Sequence, residues 1–173
     1  MLPINFLPIN LRLRRAGALP ELRRSKCELR VVRDANVFFV ETILKHHGLL
    51  ECFTEINTNP SYVDEEGRLR ILPFHHSTTS SHGCKLCPAN MCKGKIIDRI
   101  KYTSSIKGKN RFIYLGDGKG DYCPGLKLNQ GDFLMPRKNY PLWDLILSNH
   151  HPLEAEVHEW SNAERLKMKS CSG

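Results

Sequence analysis

The run Arg111-Phe112-Ile113-Tyr114-Leu115 passes without a break into Gly116-Asp117-Gly118-Lys119-Gly120-Asp121. This junction constrains the fold more than any other stretch of the chain. A continuous apolar run of this length reads as a strand buried on both faces, which is the habit of parallel sheets flanked by helices. In such sheets ligands sit beyond the carboxyl ends of the strands. Glycines at 116, 118 and 120 allow the backbone to approach an ion or a phosphate closely. Carboxylates four apart, Asp117 and Asp121, suit a hard cation such as the magnesium that accompanies phosphate substrates. A tight turn in which Asp and Gly serve only backbone geometry fits the spacing equally well. A dinucleotide fingerprint does not fit, because no helix with the required opening follows the glycines.

A second acidic loop follows another predicted strand. Glu28 to Val32 alternates and ends β-branched, Arg33-Asp34-Ala35-Asn36 breaks the pattern, and Val37 to Leu44 has helical spacing up to Gly48. Strand, polar loop and helix open an α/β unit. The remaining predicted elements are a strand at Phe53 to Ile56 and a hairpin pairing Tyr62-Val63 with Leu69 to Leu72 around Asp64 to Gly67. A long polar loop at His75 to Asn90 and a helix at Lys93 to Ile100 follow. A strand at Asp132 to Met135 and a helix at Pro141 to Leu147 complete the set, with weak order from His150 onward.

The 173 residues favour one domain, and 40% apolar with 25% charged residues is ordinary for a soluble protein. No apolar run of about 18 residues predicts a membrane span, so no membrane partner is expected. The net charge of +8 fits an anionic ligand, nucleic acid included. The basic residues are scattered, however, with short clusters only at Arg12 to Arg15 and Arg23 to Lys26, so a basic solvated surface is the preferred reading. Seven cysteines without a secretory signal point to free thiols in a reducing compartment, and the cytoplasm is expected. Residues 1–26 are expected to be a poorly structured or atypical N-terminus, since Pro3, Pro8 and Pro20 interrupt any amphipathic helix. An organelle transit peptide is the alternative there. Residues 27–160 are expected to form the core, and 161–173 a tail.

Four stretches now carry a resemblance. Arg33-Asp34-Ala35-Asn36, Cys87-Pro88-Ala89-Asn90-Met91-Cys92-Lys93-Gly94, Gly116 to Pro124 and Met135 to Pro141 resemble the phosphoethanolamine/phosphocholine phosphatase family of the haloacid dehalogenase superfamily. Glu55-Ile56-Asn57-Thr58-Asn59-Pro60 is similar to its plant branch, described as inorganic pyrophosphatases or thiamine phosphate phosphatase-like proteins. The resemblance implies a Rossmann-like parallel sheet with flanking helices, a small hairpin and a Cys-rich loop insertion. It also implies a magnesium-dependent hydrolase of small phosphorylated substrates. In that scheme Asp117 ligates magnesium, Asp121 supports the same site, Lys93 balances phosphoryl charge, and Asp34 contacts the substrate near its phosphate.

Two departures qualify it. The family nucleophile and its acid/base partner lie in an Asp-x-Asp motif on the first strand. The aspartates here are 34, 64, 98, 117, 121, 132 and 144, and no two are two apart. Without that carboxylate no aspartyl-phosphate can form. Second, Arg33 stands where the family has Ser, placing a long cation beside the substrate site. The sequence therefore predicts an N-terminally truncated, inactive or impaired relative. The nucleophile strand and helical cap would be missing, and the exposed sheet would tend to self-associate or to pair with an intact paralogue.

Cys84-x2-Cys87-x4-Cys92, with His82 nearest among His75, His76 and His82, supplies four donors suited to a structural zinc. Free thiols packing the loop are the simpler reading. A zinc-stapled basic module that binds nucleic acid or an acidic partner is the alternative to the phosphatase scheme.

Overall fold

The computed structural model describes residues 4–6, 27–75, 82–106, 108, 111–149 and 152–161. Its strands are β1 (Ile4–Phe6), β2 (Glu28–Asn36), β3 (Phe53–Asn59), β4 (Ser61–Val63), β5 (Leu69–Ile71), β6 (Phe112–Gly116), β7 (Phe133–Pro136) and β8 (Glu156–Val157). Six of them form one sheet in the order β3-β2-β1-β6-β7-β8, with every pairing parallel. The hairpin β4-β5 stands apart as an antiparallel pair. The helices are α1 (Val37–His46), α2 (Lys93–Ile106), a single turn α3 (Tyr122–Gly125) and α4 (Pro141–Ser148).

The alternation in β2 divides the core in two. Leu29 and Val31 face Val40 and Leu44 of α1 together with Leu49. Val32 faces the other way and joins Ile96, Ile97 and Ile100 of α2, with Phe112, Tyr114, Leu134 and Leu142. Every residue of β6 is buried, as its unbroken apolar run requires of a strand covered on both faces. Helix α1 begins where the Asn36 side chain accepts a hydrogen bond from Phe39 N at 3.1 Å. It ends at Gly48, whose φ of 64° is left-handed and suits glycine.

One expectation is refined and two are corrected. The expected break at Arg33-Asp34-Ala35-Asn36 takes the form of an irregularity inside a longer strand: β2 extends to Asn36, but its register with β3 jumps from Val32↔Asn57 to Asn36↔Asn59, leaving residues 33–35 without a ladder partner in β3. Order also continues beyond His150. Glu156–Val157 pairs with β7, and Arg137 bridges to Trp160, whose indole N–H donates to Met135 O at 3.0 Å. Finally, the centre of the sheet is filled. Ile4, Asn5 and Phe6 pair with Glu28, Leu29 and Arg30 on one side and with Phe112, Ile113 and Tyr114 on the other. Pro3 and Pro8 lie outside these three residues, so none of the three lacks its amide donor. The rest of residues 1–26 and, of the expected 161–173 tail, residues 162–173 lie outside the described residues. Among the described residues no helix is long and apolar enough to cross a membrane.

Candidate active site

The parallel strands place their carboxyl ends along one edge, and a cleft of about 170 Å³ opens there. Val32, Arg33 and Asp34 of β2 line it on one side, and Leu115, Asp117, Gly118 and Asp121 on the other, with Lys93 between. The structure thus brings together all five polar residues that the sequence reading singled out for phosphate and magnesium.

Local chemistry explains the placement. Beyond β6 the chain makes a 3-10 turn at Lys119–Asp121 that folds the Asp121 side chain back under the loop. The Asp121 carboxylate accepts from Asp117 N and Gly118 N, each at 3.0 Å, on one oxygen. Its other oxygen accepts from the Tyr114 hydroxyl at 2.8 Å and from Lys93 Nζ at 2.6 Å. A side chain at Gly116 could not be accommodated, because its Cβ would lie 2.6 Å from the Asp121 Cβ and 2.7 Å from Leu142. That glycine serves internal packing, where the sequence reading had assigned it to ligand approach.

Burial raises the proton affinity of Asp121, but the Lys93 ammonium and the surrounding hydrogen bonds outweigh it and hold the carboxyl below its ordinary value. Burial, and then the adjacent Asp121 charge, push the Tyr114 hydroxyl well above its ordinary value, so it stays a donor. A carboxylate has about four acceptor positions, and four donors occupy those of Asp121. In this arrangement the Asp121 carboxylate braces Lys93 and the Asp117 loop. Asp117 lines the cleft with a second carboxylate. Magnesium is commonly held by one or two carboxylates with substrate phosphate oxygens and water, and that donor set fits this cleft.

On the opposite rim Asp34 Oδ1 accepts from Asn59 Nδ2 at 2.9 Å and Asn90 Nδ2 at 2.8 Å. Asn59 also donates to Ala35 O at 2.7 Å and accepts from Phe74 N at 3.0 Å. The sequence reading gave Asn59, Asn90 and Tyr114 no role. The two asparagines lay inside the stretches that carry the resemblance, which was the available signal.

The zinc candidates separate. Cys84, Cys87 and Cys92 lie together, but the side chain that joins them is Cys123. His82 is spoken for: Nε2 donates to Pro88 O at 2.7 Å and Nδ1 accepts from Cys84 N at 3.1 Å. It is corrected from ligand to brace of the loop. His76 lies outside the described residues, as do the basic clusters that the nucleic-acid alternative relied on.

A parallel sheet flanked by helices, with a lysine–aspartate pair behind a Gly-Asp-Gly loop, is consistent with the haloacid dehalogenase fold. The chain belongs to the family described as "Putative Phosphatase", whose model matches residues 4–171. It is 55% identical over 144 residues to inorganic pyrophosphatase 1 of Arabidopsis thaliana, covering 82% of this chain and 49% of that protein. Over 148 residues it is 53% identical to a thiamine phosphate phosphatase-like protein of the same plant, covering 85% of this chain and 60% of the relative. The human phosphoethanolamine/phosphocholine phosphatase is 35% identical over 156 residues, 83% of this chain and 57% of that protein. The chain spans about half the length of the Arabidopsis inorganic pyrophosphatases it matches.

Proposed function

We propose that the cleft binds the phosphoryl group of a small phosphomonoester or of pyrophosphate, and that this chain alone turns such substrates over slowly or not at all. The observation that carries the reading is the meeting of Asp34, Lys93 and Asp117 in one small cleft, with Lys93 fixed by the buried Asp121. Relatives named for pyrophosphate, phosphocholine and phosphoethanolamine support the substrate class.

Phosphoryl transfer needs positioning and charge balance above all. Lys93 projects from the first residue of α2, and its bond to Asp121 holds the ammonium at the cleft. Magnesium, when bound, would neutralise phosphate oxygens, and Asp117 is the residue to hold it. Asp34, steadied by two amides, borders the region where the rest of the substrate would lie. Arg33 adds a second cation, which favours phosphate binding but narrows access. The central strand supplies no carboxylate nucleophile. The strand between β2 and β6 carries Ile4, Asn5 and Phe6, and no Asp or Glu occurs before Glu21. No covalent phosphoryl intermediate can form on this strand.

Phosphate release from pyrophosphate, phosphocholine and phosphoethanolamine, measured with magnesium present, tests the reading. No turnover is expected, and a rate of about 1 per second or more would refute it. Joining an Asp-x-Asp segment with its cap to the chain, together with Arg33→Ser, should create magnesium-dependent turnover. In that protein Asp117→Asn and Lys93→Ala should each lower the rate by roughly a few hundred-fold. Tolerance of both within about threefold would show the site to lie elsewhere.

A further inference from the structure

Four sulfur atoms from two distant segments meet. The Sγ atoms of Cys84, Cys87, Cys92 and Cys123 all lie within 4.8 Å of one another. Cys84 Sγ is 3.6 Å from Cys123 Sγ, and Cys92 Sγ is 3.9 Å from it. Around a tetrahedral zinc with Zn–S bonds of about 2.3 Å, neighbouring sulfurs stand about 3.8 Å apart. The two contacts bracket that edge. We infer that Cys84, Cys87, Cys92 and Cys123 form a structural zinc centre.

Several independent features agree with it. Cys84-Lys85-Leu86-Cys87 is a two-residue-spaced pair, the short spacing common in zinc-ligand cysteine pairs. The histidines around the loop hold its backbone and leave the sulfurs turned inward. His82 ties Pro88 O to Cys84 N, and His75 Nε2 lies 3.3 Å from Cys92 O. Gly94 clears the path for the fourth ligand: a Cβ there would lie 2.5 Å from Cys123 Sγ. Closed four-cysteine tetrahedra are the structural class of zinc site, with no open position for substrate. Zinc arrives as the divalent ion while the ligating cysteines release up to four protons to solvent, with no change of oxidation state.

The position explains what the metal would do. Cys92 immediately precedes Lys93, and Cys123 follows Asp121 by two residues. The loop between Cys84 and Cys92 carries Asn90, which holds Asp34. One ion therefore ties together the two segments that meet at the Lys93–Asp121 pair, and it fixes the rim of the cleft as well. The inference itself stands on the sulfurs and does not require the phosphatase reading.

Metal analysis of the purified full chain, expressed with zinc supplied, should give one zinc per chain and four thiols shielded from a disulfide reagent until a chelator is added. Refolding with cobalt(II) should produce the intense visible bands of a tetrahedral thiolate complex. Chelation should lower the melting temperature by more than about 10 °C. His82→Gln should keep the zinc, whereas Cys123→Ser should lose at least half of it. The cobalt spectrum of the wild-type chain decides the matter should Cys123→Ser fail to fold. A folded wild-type chain without metal and with four reactive thiols would overturn the inference, as would cystine pairs or iron in place of zinc. Zinc that His82→Gln removes and Cys123→Ser retains would overturn the ligand set. None of these readouts depends on phosphate binding or turnover.

Discussion

Helix α2 carries two buried lysine–aspartate pairs, one toward each edge of the sheet. At its start Lys93 Nζ lies 2.6 Å from Asp121, with side-chain exposures of 13% and 7%. Eight residues on, about 12 Å along the axis, Lys101 Nζ lies 3.3 Å from Asp132, with exposures of 15% and 3%. Burial does not distinguish them. Their company does. Asp132 accepts from Phe112 N at 3.0 Å and Asn129 N at 2.8 Å, while Lys101 also donates to Lys127 O at 2.7 Å. These bonds close the turn that leads from α3 into β7 and anchor the start of β6. Asp121 instead organises the loop beyond the carboxyl end of β6, where Asp117 and Gly118 face a cleft. A buried ion pair is weak evidence of function by itself. Its place relative to strand direction is stronger evidence.

The comparison breaks most readily at the structural pair. Asp132→Ala removes the counter-charge of Lys101 and the acceptor of two backbone amides, and should cost about 3 to 5 kcal/mol of unfolding free energy. Affinity for inorganic pyrophosphate should change little in the folded fraction. Urea denaturation paired with calorimetric titration checks both, and a loss of affinity without a loss of stability would reverse the assignment.

The Asp34 rim offers a sharper, smaller test. Asn59→Ala leaves Phe74 N and Ala35 O without their partner and should cost about 2 kcal/mol. Because Asp34 loses one of its two amide donors, substrate affinity should fall too. An unchanged affinity would show that Asn90 alone suffices to hold Asp34.

The smallest expected effect is in acid. The carboxyl of Asp121 lies below its ordinary 3.8, so the folded state holds its charge more firmly than the unfolded chain does. Its contribution to stability is present above that ordinary value and is lost as pH falls through the lowered folded value. Asp121→Asn should flatten this part of the stability profile below about pH 4. A profile identical to that of the wild type would mean that other carboxylates carry the acid sensitivity.

Strand direction was legible in the sequence because the apolar run at 112–115 stops on Gly116-Asp117, marking the carboxyl end of a buried strand. The Asp34 loop was placed at the same edge by the same logic, although β2 runs on through it. What could not be read depended on contacts distant in sequence. The extension of β2 rests on β3 and on the bonds of Asn59 to Ala35 and Asp34. The central position of Ile4–Phe6 comes from ladders on both sides, which local propensity does not encode. At β8 two residues, one of them Glu, give no periodicity to detect. Cys123 stands 31 positions beyond Cys92, inside a motif already assigned to another purpose, so only the folded chain shows it among the other sulfurs.

The central claim is that the Lys93 edge binds phosphoryl groups and the Lys101 edge does not. Calorimetric titration of the wild-type, Lys93→Ala and Lys101→Met chains with pyrophosphate and magnesium tests it most directly. A charge-assisted contact is worth about 1.5 to 3 kcal/mol, so Lys93→Ala should weaken binding by roughly 10- to 100-fold. Lys101→Met should bind as the wild type does, at reduced stability. Equal affinity for wild type and Lys93→Ala, or a comparable loss in Lys101→Met, would contradict the account.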